Sequence, residues 1–204
     1  MDPIKTIEGS VPGYKAHIYY DPDAIPPDSD IVKIAYLRRA RRVLGTEAVT
    51  EERLDEINAD IRAGKLVGVP VWAYVHSGAT ISTGKPLKGG STARLRMNPF
   101  NCPWDSGRSG VAYMTREDAL SQWGHKRLSA QQKKRAEAFI DSVVEEFALY
   151  LQGECYGFKI VAPDGTVLDQ CWGFVGMEHV EAEATASLAH VCKDASVQGE
   201  LDLK

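Results

Sequence analysis

The chain has 204 residues, of which 44% are hydrophobic and 25% charged, a composition typical of a globular protein with a substantial core. Lys and Arg total 24 against 28 Asp and Glu, so the formal net charge is −4. This mild acidity argues against a protein that coats nucleic acid, and it is too weak for a mimic of DNA.

Targeting signals are also lacking in the sequence. No apolar run approaches the roughly 18 residues that span a bilayer. The first ten residues lack the apolar core of a signal peptide. We therefore expect no membrane association and a cytoplasmic location, where the four cysteines stay reduced.

The first part of the chain is predicted to contain two strands and two helices. Residues 14–20 are rich in aromatic and β-branched side chains, which favours a strand. Residues 31–44 carry apolar side chains at helical spacing, which favours a helix with arginines near its end. Residues 51–63, capped by Thr50, are a second predicted helix, and residues 69–75 a second strand.

The middle of the chain alternates between irregular and helical patterns. Residues 84–97 are rich in Gly, Lys and Arg, which predicts a flexible basic insertion. Residues 98–110 form a turn-rich loop that leads into a short strand at 111–114. A short helix is predicted from Thr115 to Trp123.

A long helix over residues 130–151 is the clearest predicted element. Ser129 and Gln132 form a capping-box pair, and apolar side chains recur every three and four residues. The helix period therefore predicts one apolar face that packs on a sheet.

The last part of the chain predicts a hairpin followed by a helix. Residues 156–162 and 166–175 are the strands of the hairpin, residues 178–193 the helix, and residues 196–204 a frayed tail. Strands and helices do not alternate strictly. The pattern therefore predicts an α+β fold, with a mixed or mainly antiparallel sheet and helices packed on it, in a single domain over residues 1–204.

Residues 102–107 (CPWDSG) are the most informative segment. A large indole in a loop favours burial, so the segment is interpreted as an anchor of that loop. A second interpretation is nucleophilic catalysis, with Cys102 or Ser106 as nucleophile, His76 as base and Asp105 nearby. No known signature surrounds Cys102, so no catalytic residue is assigned. An enzyme with a small-molecule or nucleic-acid substrate stays an alternative.

Residues 169–176 (DQCWGFVG) are the second unusual segment. Strand alternation places Trp172 and Phe174 on one face, interpreted as core packing against the helix over 130–151, and Cys171 on the other face. The glycines allow a backbone or a ligand to approach closely. We expect the two Cys-Trp segments to be neighbours in one sheet.

Metal and cofactor motifs are absent from the sequence. A zinc site would combine His76, Cys102 and Cys171 with Asp105 or His125, but these ligands lack the two- to four-residue spacing of zinc motifs. The chain has no P-loop, no dinucleotide G-x-G-x-x-G and no H-E-x-x-H. No metal and no cofactor are predicted.

A cluster of cations lies near the end of the predicted helix over 31–44. Such a patch can contact phosphates, although charged groups at helix ends are more often simply solvated. A nucleic-acid-binding module is therefore an alternative function, using Arg38, Arg39, Arg41 and Arg42 together with Lys85, Lys88, Arg94 and Arg96 of the insertion.

Several segments resemble an uncharacterised family of small proteins encoded by bacteriophages, plasmids and other mobile elements. The matching segments cover most of residues 70–176 and are 76–83 (HSGATIST), 99–107 (PFNCPWDSG), 111–115 (VAYMT), 149–153 (LYLQG), 156–158 (YGF) and 169–176 (DQCWGFVG). The chain departs from the family pattern at the insertion 84–97 and in its N-terminal third.

The resemblance implies where the protein acts and that it acts by binding, but it does not imply a chemical reaction. It implies an accessory protein in the host cytoplasm that binds and inhibits or modulates a host protein, such as a restriction or CRISPR complex. The candidate binding residues come from the polar segment after residue 75, the two Cys-Trp segments and the arginine patch. They are His76, Ser77, Thr80, Ser82, Trp104, Asp105, Arg108, Cys171, Arg38, Arg39, Arg41 and Arg42.

Overall fold

The computed structural model describes residues 2–38, 42–86 and 96–201, and within them the chain forms four helices and eleven strands. In chain order they are β1 (Lys5–Glu8), β2 (Lys15–Tyr20), β3 (Lys33–Leu37), β4 (Glu47–Val49), α1 (Glu51–Ala63), β5 (Leu66–Val75), β6 (Ala79–Ser82), β7 (Lys85–Pro86), β8 (Arg96–Met97), β9 (Ser106–Thr115), α2 (Arg116–Ser121), α3 (Ala130–Leu151), β10 (Cys155–Val161), β11 (Val167–Val175) and α4 (Met177–Leu201).

These elements confirm the predicted single-domain α+β fold with mainly antiparallel sheets and helices packed on them. Within that fold the chain groups into two compact units. Residues 1–26 and 153–204 form the terminal unit, and residues 27–152 form the central unit.

The central unit is built on a five-stranded sheet of order β4-β3-β9-β5-β6, in which only the β3–β4 pair is parallel among the described strands. One face packs against α3 through a core that includes Val69, Ile140 and Phe147. The opposite face packs against α1 through Ile57 and Ile61. Both faces of the sheet are therefore covered by helices.

Local capping explains why the two main helices of this unit begin and end where the sequence predicts. Thr50 accepts a hydrogen bond from the backbone N–H of Arg53 at 3.3 Å, and Gly64 ends α1 with a φ of 76°. Ser129 and Gln132 form the reciprocal capping box of α3. The predicted ranges 51–63 and 130–151 are confirmed.

The predicted helix over residues 31–44 is wrong, because this segment contains β3. Ile34 and Tyr36 face the α3 side of the sheet, whereas Ala35 faces α1. A strand that is buried on both faces has a continuous apolar run, which periodicity cannot distinguish from a short helix. Gly45 allows the chain to pass close to β3, since a Cβ at this position would lie 2.4 Å from the carbonyl oxygen of Ile34.

The terminal unit is a four-stranded antiparallel sheet of order β1-β2-β10-β11 with α4 packed on it. Ile18, Phe158 and Ile160 of the sheet meet Val180 and Leu188 of α4. The predicted hairpin is confirmed as β10–β11. Because α4 is the helix on this sheet, the predicted packing of the Trp172 strand against α3 is wrong.

Three predicted irregular segments are partly regular. Residues 106–110 of the predicted loop over 98–110 belong to β9, which is therefore longer than the predicted strand 111–114. The ends of the insertion pair as β7 and β8, while residues 87–95 of the predicted insertion lie outside the described residues. Residues 196–201 of the predicted frayed tail continue α4, where Ser196 donates to the Cys192 carbonyl at 2.9 Å. Residues 202–204 also lie outside the described residues.

A search of the described helices finds none that is both long enough and apolar enough to cross a membrane.

Candidate binding site

The loop over residues 98–105 is tied to the end of β5 by backbone hydrogen bonds. The Val75 N–H donates to the Asp105 carbonyl at 2.8 Å, and Ser106 at the start of β9 pairs with Tyr74. Within the loop, the Ser106 N–H donates to the Cys102 carbonyl at 3.1 Å. These bonds close the loop into a turn beside the sheet.

Side chains reinforce this turn. The Asn98 amide donates to the Ser106 hydroxyl at 2.9 Å and its carbonyl accepts from the Phe100 N–H at 3.0 Å. The Phe100 ring lies 5.9 Å from the Tyr74 ring. The loop is therefore held by Asn98, Phe100 and Ser106.

Trp104 projects from this loop with 92% of its surface exposed. The predicted role of its indole as a buried anchor of the loop is wrong, because the bonds described above hold the loop without it. An indole is costly to leave in water, and a protein that holds one exposed on a hydrogen-bonded loop has a candidate contact site for a partner.

A shallow groove of about 250 Å³ lies beside Trp104. Leu44, Ala73 and Val75 line its apolar part. Its polar part is formed by Asp105 and Arg108 and by the small residues between them. An exposed aromatic beside an apolar groove with a polar margin is the usual anatomy of a protein-binding surface.

All four catalytic candidates of the sequence meet at this loop. His76 Nδ1 lies 3.2 Å from Asp105 Oδ2, and the Cys102 thiol donates to the same oxygen at 3.5 Å. Ser106 donates to the Cys102 carbonyl. The carboxylate thus stands between thiol and imidazole, whereas an activated nucleophile contacts the base directly and the carboxylate orients that base from behind. The arrangement does not form a catalytic triad.

The other three cysteines differ in exposure. Cys155 and Cys192 are buried. Burial raises the pKa of the Cys155 thiol, and the nearby Asp21 and Glu154 add to that effect. Cys171 is exposed on β11, where its sulfur lies 4.0 Å from the Trp172 carbonyl oxygen.

The polar candidate binding residues after β5 form hydrogen bonds at the end of the central sheet. The Ser77 carbonyl accepts from Arg42 at 3.1 Å, and the Thr80 hydroxyl accepts from Gln152 at 3.1 Å. The Ser82 hydroxyl accepts from the Gly84 N–H at 3.1 Å. Their first role is therefore structural, although the turn at His76 borders the Trp104 loop.

The arginine patch was predicted at the end of a helix over residues 31–44, and that helix prediction is wrong. Arg38 follows β3, and Arg42 is engaged with the Ser77 carbonyl. In the insertion, Arg96 forms a bidentate ion pair with Asp141, at 2.6 and 2.9 Å, with only 4% of its side chain exposed. It is therefore unavailable to phosphates. Four further candidates lie outside the described residues: Arg39, Arg41, Lys88 and Arg94.

The two Cys-Trp segments belong to different sheets, so the prediction that they are neighbours in one sheet is wrong. Trp104 precedes β9 of the central unit, and Trp172 lies in β11 of the terminal unit. The predicted face of Trp172 is also wrong. Gly173 is an extra residue opposite β10, with a φ of 88°, and this bulge places Trp172 and Phe174 on opposite faces.

The sequence interpretation missed a row of aromatic and cationic side chains on the terminal unit. Tyr19 of β2 and Lys159 of β10 lie on the same face as Trp172. The signal was present, because residues 15, 17 and 19 alternate with the buried Ala16 and Ile18. Alternation within one strand does not report which side chains the neighbouring strands place beside it.

The described residues contain no group of three or more His, Cys, Asp or Glu placed to hold a metal ion. Cys171, one member of the hypothetical zinc set, belongs to the terminal unit, whereas His76, Cys102, Asp105 and His125 belong to the central unit.

Comparisons of the chain with models of known protein families, with curated proteins and with solved structures find no match. The resemblance of residues 70–176 to mobile-element proteins stays a prediction.

Proposed function

We propose that this protein acts by binding a partner protein through the surface around Trp104, and that the partner is a host protein, in particular a component of a defence system. One observation carries the binding proposal. Trp104 is 92% exposed on a loop whose conformation is held by hydrogen bonds of its neighbours. The indole contributes apolar area to a contact without being needed by the fold.

The energetics of protein interfaces favour such an arrangement. Tryptophan is enriched among the few residues that dominate binding energy, and these residues fill apolar pockets inside a polar margin. A loop that is already ordered loses little conformational entropy on binding. The groove lined by Leu44, Ala73 and Val75 would lie at the centre of such an interface, with His76 and Asp105 at its margin.

The host-defence setting rests on the resemblance of residues 70–176 to proteins of bacteriophages and mobile elements. An accessory protein of that kind works in the host cytoplasm and needs a specific contact rather than a reaction. A stable interface buries roughly 1,200–2,000 Å² in total, which is more than one loop provides. The contact would therefore extend from Trp104 across the groove.

Affinity capture with matched variants tests the binding part of the proposal. The tagged full-length protein, its Trp104→Ala variant and its Ile25→Ala variant are passed over nuclease-treated bacterial lysate. Ile25 is the control, because it is also an exposed apolar side chain, at 81%, and belongs to the terminal unit. We expect a host protein that is retained by the wild type and by Ile25→Ala and lost with Trp104→Ala.

Retention of the same protein by Trp104→Ala, or no retained protein at all, would overturn the binding proposal. The defence part has a separate readout. Expression of the wild type in a restricting host is expected to raise the plating efficiency of an unmodified phage, and expression of Trp104→Ala is not. Equal plating with both, despite capture of a partner, would reject the defence setting and leave the binding surface standing.

A further inference from the structure

Three ring side chains form a row on one face of the four-stranded sheet of the terminal unit. The Tyr19 ring lies 6.1 Å from the Trp172 ring, tilted by 33°, and 6.5 Å from the His17 ring, at 68°. The row crosses from β2 over β10 to β11. We call this set, with Lys159, the aromatic row.

The sheet is shaped to let the Trp172 indole lie flat. Gly157 pairs with Trp172 across β10 and β11, and a Cβ at Gly157 would lie 2.1 Å from the indole ring. The bulge at Gly173 turns Trp172 away from the face that carries Phe174 and α4. A ring that lies flat on a sheet presents its second π-face outward.

Lys159 supplies a positive charge on this face. The Lys159 ammonium lies 5.7 Å from the Tyr19 ring centre and 5.9 Å from the Trp172 ring centre. Lys15, on the same face of β2, is paired with Glu8 at 3.0 Å. Lys159 is thus the cation that the aromatic row itself holds in place.

Two carboxylates of this unit make hydrogen bonds, one on the α4 face and one beside Trp172. Asp169 accepts from the Ser187 hydroxyl of α4, on the opposite face. Asp21, at the end of β2, accepts from the Gly173 N–H at 3.0 Å. A bound anion would therefore be drawn to the Lys159 side of the aromatic row and repelled from the Asp21 end.

The aromatic row remains accessible in the folded chain. The helix of this unit, α4, packs on the other face through Ile18, Phe158 and Ile160. Trp172 keeps 38% of its surface exposed, and Tyr19, His17 and Lys159 are partly exposed.

We propose that the aromatic row binds single-stranded nucleic acid, with one base stacked on Trp172, the next on Tyr19 and the intervening phosphate beside Lys159. Aromatic rings on an open antiparallel sheet can stack on unpaired bases of any sequence. Paired bases are stacked inside the duplex and cannot reach a ring that lies flat on a sheet. The ligand class is therefore a single strand, held by stacking together with a phosphate contact. This site lies in the terminal unit and does not depend on the partner surface at Trp104.

The test measures binding of the full-length protein to a labelled oligothymidylate of about ten nucleotides, by fluorescence anisotropy at low salt. Trp172→Leu and Trp172→Phe both keep an apolar side chain over Gly157, but only Phe preserves a stacking surface. Trp104→Leu is the matched control in the other unit. Loss of one stacked base weakens binding by roughly tenfold or more.

We expect roughly tenfold weaker binding with Trp172→Leu, near wild-type binding with Trp172→Phe and Trp104→Leu, and a reduced salt slope with Lys159→Gln. Asp21→Asn is expected to tighten binding, because it removes the negative charge at the Asp21 end of the aromatic row. The proposal is overturned by absence of binding to the wild type, by equal affinity for a duplex, or by equal weakening with Trp172→Leu and Trp172→Phe. Circular dichroism of each variant distinguishes a lost site from a lost fold.

Discussion

The two Cys-Trp segments have similar residues and opposite relationships to the fold. Trp104 stands on a loop and is 92% exposed, while Trp172 lies on a sheet, 38% exposed, against Gly157 and Tyr19. The loop around Trp104 is closed by backbone bonds and by Asn98, so its indole is free for a partner. Trp172 presents one π-face outward and uses the other to cover its own sheet. An aromatic of the first kind can change without cost to folding, and one of the second kind cannot.

Truncation of each tryptophan is the strongest test of this comparison. Trp172→Ala removes packing over Gly157 and is expected to lower the free energy of unfolding by about 3 kcal/mol. Trp104→Ala is expected to change it by less than about 0.5 kcal/mol, because the side chain lies in solvent. Urea denaturation followed by circular dichroism measures both. Equal losses would mean that the Trp104 indole also supports its loop.

A glycine beside each tryptophan provides a second matched pair. Gly157→Ala places a methyl group against the Trp172 ring and is expected to cost about 2 kcal/mol by overpacking. Gly107→Ala, next to the Trp104 loop, meets nothing within 4 Å and is expected to leave stability nearly unchanged. Thermal unfolding compares the two variants. A stable Gly157→Ala protein would show that the Trp172 ring moves aside without cost.

The hydrogen bonds of Asn98 offer a smaller effect in the Trp104 loop. Asn98→Ala removes the bonds to Ser106 and to the Phe100 N–H, and we expect a loss of about 1 kcal/mol. Asn101→Ala, an exposed position in the same loop, is the control. The affinity for the partner protein should fall with Asn98→Ala and remain at the wild-type level with Asn101→Ala. If Asn98→Ala leaves both stability and affinity intact, the backbone bonds alone hold the loop.

The rates at which the cysteines are alkylated distinguish the two Cys-Trp segments without a change in stability. The exposed Cys171 is expected to react with iodoacetamide faster than Cys102, which donates to Asp105, and both should react faster than the buried Cys155 and Cys192. Mass spectrometry of peptides at successive times gives the order. A Cys102 that reacts first would contradict the structural role of that thiol and favour the enzyme alternative at His76, Cys102 and Asp105.

The sequence singles out the segment that carries Trp104, but the prediction that this indole is buried is wrong. Trp104 and Asp105 are candidates because CPWDSG has an unusual composition, Arg108 follows that segment directly, and all three line one groove. The contact between His76 and Asp105 follows from the alignment of β5 with β9, a long-range pairing that no local pattern reports. The aromatic row was missed for the same reason, since its members come from three strands.

By itself the sequence determined the elements whose causes are local. The capped and amphipathic helices α1 and α3 and the hairpin β10–β11 follow from side chains within a few residues of one another. Tertiary structure decided whether residues 33–37 form a strand, which way Trp172 faces after the bulge at Gly173, and that Trp104 stays in water. Those outcomes depend on neighbours distant in sequence, because strand pairing and burial on both faces override local propensity.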